Sequence, residues 1–165
     1  MSDRPCFLRN RCTSVEQIDE NTLRSTCRLQ DTLTEASVEI IVTLPDLEIS
    51  GIDGKVRRSD QDACFEPLSF LKKGIGMRIG PGMLKIIKGL ITEVTDCKQL
   101  GFMVEECCHG VILYFTKKGL RQAPLDKEEA RAYYANMVRE NIRLYNRCAA
   151  FGPGSSLVEG IDPPC

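Results

Sequence analysis

Nine cysteines give this chain its most distinctive chemistry, because a thiolate can bind a metal ion or attack an electrophile. The number is odd, so a complete set of intramolecular disulfides is impossible. The chain has no Cys-x-x-Cys pair, which argues against thioredoxin-like redox sites and zinc ribbons. The cysteines occupy positions 6, 12, 27, 64, 97, 107, 108, 148 and 165. Which of them can act together therefore depends on where the fold places them.

The most closely spaced donors are Cys107, Cys108 and His109, which are consecutive on a predicted helix. Consecutive helical side chains point about 100° apart, which is a poor arrangement for chelation. Glu106 and His109 have the spacing of half a di-iron motif, but that motif needs a second copy and the chain has one histidine. We therefore expect Cys107 to be a core residue and His109 to be partly exposed.

Cys64 and Cys97 are better placed, since each is predicted to lie where a loop or strand gives way to a helix. A thiolate near a helix N-terminus is stabilised by the unpaired N–H groups and the helix dipole. Asp62 and Asp96 lie close by in sequence, where a carboxylate could bind a metal or disfavour the thiolate by repulsion. Position alone leaves open whether the two cysteines form a functional pair or simply pack in the core.

The first half of the chain has the pattern of a strand meander. Residues 1–21 are polar without a period and predict an irregular arm, whereas residues 23–31 and 37–44 predict strands. Residues 46–60 hold two short strand patterns, LEIS and KVRR, around the turn dipeptide Asp53-Gly54. Three or four antiparallel strands are therefore expected.

Helical periodicity dominates after Cys64. A helix is predicted from Pro67 to residue 79, ended by Gly80-Pro81-Gly82. The glycines around that break favour a kinked helix–helix corner over a dinucleotide fingerprint, which would follow a strand. Further helices are predicted over 83–91, 97–118 (ended by Gly119) and 127–147, and a short strand at Leu157-Val158.

The order of strands first and helices after predicts an α+β fold, a meander of three to four strands with three to four helices packed on one face. A length of 165 residues favours a single domain. Its parts would be an irregular arm (1–21), strands (22–62), helices carrying Cys64 and Cys97 (63–120), and a C-terminal helix and tail (121–165).

Charge and hydropathy narrow the choice of partners and compartment. The formal net charge is −1, which gives no electrostatic reason to expect nucleic acid or an anionic membrane as partner. The opening MSDRPCFLRN lacks the apolar core of a signal peptide, and no apolar run approaches the roughly 20 residues that span a bilayer. We expect a cytoplasmic protein with reduced thiols. Its partners would be proteins or further copies of itself.

The stretch from about Leu23 to Phe151 resembles an uncharacterised bacterial family of unknown function. In that family, strands precede a cysteine-bearing segment, a helix ends near a glycine, a Gly-Cys-Thr-His-Leu motif opens the next helix, and a late cysteine precedes a small residue. Gln99 stands where the family has His, so an imidazole ligand is missing here. The matching segments are Asp-Ala-Cys64, Ile-Lys-Gly89, Asp-Cys97-Lys-Gln99-Leu100 and Asn-Arg-Cys148-Ala149.

The order of elements is also similar to that of the iron–sulfur scaffold proteins of the IscU/NifU type. Cys64 would match their middle cluster-binding cysteine and Cys97 their last. Asp96 stands where those scaffolds have His, and their first cysteine falls near Thr34–Glu35, where this chain has none. The resemblance therefore implies a scaffold that lacks one of its three thiolates.

Our first hypothesis is a NifU-like scaffold or accessory protein, not an enzyme, that binds an iron–sulfur cluster, zinc or iron. Its ligands would be Cys64, Cys97 and Asp96, joined by Cys148 or Cys27 if the fold brings them near; thiolates with a carboxylate suit zinc or iron. The alternative is a structural or interaction module with buried cysteines, homo-oligomeric through the glycine-rich corner and the last helix.

A third hypothesis is a thiol-dependent enzyme with Cys97 as nucleophile. It lacks an obvious base, because His109 would lie about 18 Å further along the same helix.

Overall fold

The computed structural model describes residues 6–65, 68–140, 142–146 and 148–162. Pro67, predicted to open a helix, lies outside the described residues. The chain divides into two compact units, Met1–Tyr114 and Phe115–Cys165. The number of domains stays a prediction.

The first unit is built on a four-stranded antiparallel sheet in which each strand pairs with the next along the chain. Alternate residues of the two central strands are buried and their neighbours face outward, as one covered face requires. Helical segments of the first unit follow the meander and pack against the sheet, so the predicted α+β class is confirmed. The strands are β1 (Arg9–Asp19), β2 (Thr22–Asp31), β3 (Glu35–Thr43) and β4 (Glu48–Arg58).

The prediction of an irregular arm over residues 1–21 is wrong for Arg9–Asp19, which pairs along its length with β2. The strand lies at the sheet edge, and most of its side chains are exposed on both faces. It therefore has almost no apolar alternation, and backbone pairing with β2 is the main contact that positions it. Only Thr13 and Val15 are partly buried.

The prediction of two short strands around an Asp53-Gly54 turn is also wrong, because β4 runs straight through the dipeptide. Asp53 pairs with Glu39 and Gly54 with Val38 in one ladder. Gly54 serves a packing purpose instead, since a Cβ there would stand 2.5 Å from Leu71 Cδ1. The missing side chain lets the next helical segment lie close against β4.

The helical region begins with 3-10 turns. A first 3-10 segment, Asp62–Phe65, follows β4, and a second, Leu68–Gly74, stands where a longer helix over 67–79 is predicted. Gly76 (φ 86°) follows the second, and Gly82 (φ 81°) precedes the next helix. Glycine is needed at both positions because other residues rarely adopt a positive φ. The helical segment ends at Gly74, so the prediction that Gly80-Pro81-Gly82 ends it is wrong, although the tripeptide does separate the segment from the next helix.

Three α-helices follow. The first, α1 (Met83–Ile87), continues as a π-helical turn, Lys88–Thr92, and the second is α2 (Lys98–Gln122). The third, α3 (Lys127–Glu140), is shorter than the predicted 127–147. In the described part of the tail, residues 148–162, Leu157-Val158 forms no strand.

Gly119 does not end α2 as predicted. Its carbonyl accepts a 2.7 Å hydrogen bond from the Tyr133 hydroxyl, and a Cβ there would stand 3.3 Å from Met137 Sδ. The glycine lets α3 approach α2 within the second unit, so its role is packing.

In the first unit, α2 lies directly against the sheet. A Cβ at Gly110 would stand 3.0 Å from Thr13 Cγ2 and 3.1 Å from Val15 Cγ2, so the glycine sets how closely helix and strand approach. The Ser25 hydroxyl donates a 2.9 Å hydrogen bond to the Cys107 carbonyl, and the Cys107 thiol donates to the Val38 carbonyl at 3.6 Å. These bonds satisfy the polar groups in an apolar interface.

Asp31 ties the end of β2 to its surroundings. Burial by itself raises the pKa of its carboxyl. Three donors outweigh this effect and hold the pKa below its usual value: the backbone N–H groups of Thr34 and Leu33 and the Arg9 guanidinium. The Arg9 Nη2–Asp31 Oδ2 distance is 2.9 Å, and the carboxylate is 1 % exposed. The carboxylate therefore stabilises the fold in its charged form.

Asp31→Asn is expected to lower the free energy of unfolding by about 2 kcal/mol at neutral pH. A lowered native pKa contributes stability above the unfolded value of about 3.9, and that contribution is lost as the pH falls through the native pKa. Urea unfolding as a function of pH should therefore show the two proteins converging in acid. Glu16→Gln, in an exposed ion pair with Arg24 at 3.8 Å, should change stability by under about 0.5 kcal/mol. If the parent protein and Asp31→Asn differed in free energy of unfolding by the same amount in acid, the charged Asp31 carboxylate would not be the source of the stability.

Candidate functional site

The structure brings Cys64 and Cys97 together as a disulfide, although 33 positions separate them in sequence. Their Cα atoms are 4.9 Å apart. Cys64 is 3 % exposed and Cys97 1 % exposed, so the sulfur atoms meet in the interior. The pair joins the segment that follows the sheet to the start of the long helix.

Cys64 is held by the first 3-10 turn after β4. Its N–H donates a 3.1 Å hydrogen bond to the Gln61 carbonyl, and the Gln61 N–H donates to the Ser59 hydroxyl at 3.0 Å. The Gln61 side-chain oxygen lies 3.9 Å from Cys64 Sγ. A reduced Cys64 thiol would therefore have an acceptor beside it.

Cys97 immediately precedes α2. Its N–H donates a 3.1 Å hydrogen bond to the Thr95 hydroxyl, and its carbonyl accepts from the Leu100 N–H at 3.3 Å, as the residue before a helix does. A helix start favours a negative charge, so after reduction Cys97 is the cysteine better placed to become the thiolate.

A close contact behind Cys97 fixes the turn between the π-helical segment and α2. A Cβ at Gly101 would stand 3.1 Å from Thr92 Cα and would overlap the Thr92 hydroxyl. That hydroxyl is buried and has no hydrogen-bond partner in the described structure. Sequence reasoning missed this contact, yet a glycine inside a predicted helix is a signal of close packing.

The remaining predicted ligands do not join the pair. Asp96 is adjacent in sequence but exposed, and Cys148 is exposed in the second unit. Cys27 is buried on β2, where its thiol contacts Thr13. Within residues 6–65, 68–140, 142–146 and 148–162, no three His, Cys, Asp or Glu side chains are grouped to hold a metal ion.

Two thiolates alone do not fit the usual zinc or iron–sulfur site. Structural zinc takes four protein ligands and catalytic zinc three, and the common clusters take four thiolates. The described residues supply two. The remaining ligands would have to come from a second molecule or from a small ligand.

The prediction that Cys107 belongs to the core is confirmed, since it is fully buried between sheet and helix. Burial raises its pKa far above the ordinary thiol value, and burial raises the pKa of Cys108 to about 12. Burial likewise raises the pKa of Cys27. His109 is exposed. Burial therefore disfavours the thiolate form of Cys27, Cys107 and Cys108.

Thiol labelling of the native, oxidised protein should separate two groups of cysteines. Cys6, Cys12 and Cys148 are exposed and should react with iodoacetamide within minutes at pH 8. Cys27, Cys107 and Cys108 are buried and should remain unlabelled on that timescale. Peptide mass spectrometry after timed labelling gives the result for each site, and unfolding in urea should make all six react. Fast labelling of Cys107 in the folded protein would contradict its placement.

Comparison of the chain with protein-family models, curated proteins and solved structures finds no match. The resemblances to the uncharacterised bacterial family and to the IscU/NifU scaffolds therefore stay predictions. Among the described residues, no helix has the length and apolar character needed to cross a bilayer.

Proposed function

We propose that this protein is a non-enzymatic structural or interaction module whose helical region is fastened by a reversible Cys64–Cys97 disulfide. The observation that carries the proposal is the meeting of these two sulfur atoms in the interior. Closing the bond fixes the end of the sheet segment to the start of α2, and opening it releases that constraint. The state of the pair would thus control how rigidly the intervening segment is held.

The chemistry of the proposed step is thiol–disulfide exchange. A small-molecule disulfide such as oxidised glutathione takes two electrons and two protons from the Cys64 and Cys97 thiols and leaves as two thiols. The thiolate of one cysteine attacks the small disulfide, and the other cysteine then resolves the mixed disulfide. Burial of both sulfur atoms makes this exchange slow, which suits a structural bond better than a catalytic one.

A metal- or cluster-binding accessory role is the second candidate. The same juxtaposition favours it, because reduction leaves two thiols side by side at a helix start. Asp96 could contribute a carboxylate only if its exposed side chain turned toward the pair. This candidate needs ligands that the described residues do not group around Cys64 and Cys97.

One preparation distinguishes the two candidates. The full chain is purified without oxygen under reducing conditions, and its metal content, sulfide content and visible spectrum are measured. The same sample is then equilibrated with reduced and oxidised glutathione at varied ratios, and the Cys64–Cys97 bond is quantified by mass spectrometry. The Cys64→Ser/Cys97→Ser variant tests the pair, and Cys6→Ser/Cys148→Ser is a control at exposed cysteines.

We expect colourless, metal-free protein whose Cys64–Cys97 bond opens and closes as the ratio changes. About one zinc or iron atom per chain that is lost in Cys64→Ser/Cys97→Ser and kept in the control would establish the second candidate instead. A pair that stays reduced in excess oxidised glutathione, in metal-free protein, would overturn both.

A further inference from the structure

The region between Lys72 and Leu90 has an exposed surface of unusual composition. Its 13 exposed residues are all Lys, Arg, Leu, Ile, Gly or Pro, without one acidic or neutral hydrogen-bonding side chain. Four of them are large aliphatic residues exposed between 40 % and 46 %: Ile75, Leu84, Ile86 and Leu90. We call these 13 exposed residues of 72–90 the cationic face.

The net charge of the whole chain does not reveal that this surface is basic. Residues 67–92 contain five basic residues and no acidic one, whereas the other 139 residues hold 17 basic and 23 acidic residues. A net charge of −1 therefore averages a strongly basic segment with an acidic remainder. Because the Debye length is about 8 Å at physiological salt, a partner that touches the cationic face responds mainly to the local charge.

Three lysines of the cationic face are free to meet an external anion. Lys72, Lys73 and Lys85 are exposed and form no ion pair with any residue in the described part of the chain. Two other cations are partly compensated. Lys88 lies 3.7 Å from Glu93, and Arg78 lies 3.9 Å from the carboxylates of both Asp46 and Glu48.

The first and last parts of the cationic face adjoin each other, and α1 runs directly into the last part. The 3-10 helix Leu68–Gly74 packs against the π-helical turn Lys88–Thr92. A Cβ at Gly74 would stand 3.1 Å from Ile91 Cδ1, so the chain around Gly74 is in contact with the chain around Ile91. This contact therefore has exposed residues of the cationic face on both sides. Lys73 and Ile75 flank Gly74, and Leu90 precedes Ile91.

We infer that the cationic face binds the surface of an anionic phospholipid membrane. Exposed aliphatic side chains with lysines between them are the composition of interfacial surfaces, which bury the apolar groups near the acyl boundary. Lysine stems lie along the apolar groups while their amines reach lipid phosphates. A protein partner fits less well, because lysine is depleted in protein–protein interfaces. This contact is peripheral and uses none of the cysteines.

Co-sedimentation of the full chain with lipid vesicles tests the inference. Phosphatidylcholine vesicles that contain phosphatidylserine should bind the protein, pure phosphatidylcholine should bind it much less, and added salt should release it. Lys72→Gln/Lys73→Gln/Lys85→Gln should weaken binding by roughly fivefold per lysine. The matched control Lys117→Gln/Lys118→Gln/Lys127→Gln removes three exposed lysines elsewhere and should bind as the parent does.

The apolar part is tested separately. Leu84→Ser/Ile86→Ser should weaken vesicle binding by roughly tenfold or more, since two aliphatic side chains no longer insert. Leu113→Ser/Leu120→Ser changes two leucines that are 65 % and 51 % exposed on α2 and should have little effect. Urea unfolding of each variant shows whether it is folded.

Three results would overturn the inference. The first is no binding to anionic vesicles, and the second is binding that both the lysine and the apolar variants retain. The third is binding to soluble polyglutamate that is as strong as binding to anionic vesicles and is unchanged in Leu84→Ser/Ile86→Ser. That result would indicate that the cationic face binds an acidic protein.

Discussion

Reduction of the Cys64–Cys97 disulfide is expected to lower the free energy of unfolding by about 4 kcal/mol. The bond closes a loop between residues 33 positions apart. In the chain-entropy description, a crosslink of that span removes about 4 kcal/mol of conformational freedom from the unfolded chain. That is a large share of the roughly 5–15 kcal/mol that stabilises a typical domain. Urea unfolding of the full chain, with and without reductant, measures the difference.

Two variants make this measurement specific. Cys64→Ser/Cys97→Ser should show no difference between oxidising and reducing conditions, since no bond can form. Cys6→Ser/Cys148→Ser keeps the pair and removes two exposed thiols, so it should retain the whole difference. Equal stability of the parent protein in both conditions, after mass spectrometry has verified that the bond is closed in one and open in the other, would contradict the expectation.

The predictable part of the fold is the part whose side chains alternate. β2 and β3 bury every second residue, so period and β-branched composition indicate them. β1 has no such signal, because an edge strand held by backbone pairing can be polar on both faces. The Asp53-Gly54 dipeptide has the sequence of a turn but lies within a strand. The absence of a side chain at Gly54 makes room for Leu71.

The candidate site was predictable in its members but not in its chemistry. Helix-start placement singled out Cys64 and Cys97, and the structure places their sulfur atoms together. Asp96 is adjacent to Cys97 in sequence, but adjacency does not fix the direction of a side chain, and this one faces solvent. The sequence does not reveal the strand register, which places Cys27 opposite Thr13 and Val38 in the sheet.

Gly101→Ala is expected to destabilise the protein by about 2 kcal/mol, although alanine is the better helix former by about 1 kcal/mol. The added methyl group would overlap the Thr92 hydroxyl and stand 3.1 Å from Thr92 Cα. If the Thr92 hydroxyl rotates away, the added methyl group still stands 3.1 Å from Thr92 Cα, so the start of α2 has to give by a few tenths of an ångström. Cys97 lies in the turn that this contact closes, and we therefore also expect slower closure of the Cys64–Cys97 bond. Urea unfolding and timed oxidation of the reduced protein measure the two effects.

A second glycine and a compensating substitution show whether the close approach is the cause. A methyl group added at Gly89 would meet no atom within 4 Å, so Gly89→Ala should be neutral or slightly stabilising. Thr92→Ala removes a buried hydroxyl that has no hydrogen-bond partner in the described structure and should cost little alone. Combined with Gly101→Ala, it should restore about half of the lost stability, because contacts of this kind are not additive. If Gly101→Ala were as stable as Gly89→Ala, the Thr92–Gly101 contact would not be what positions Cys97 beside Cys64.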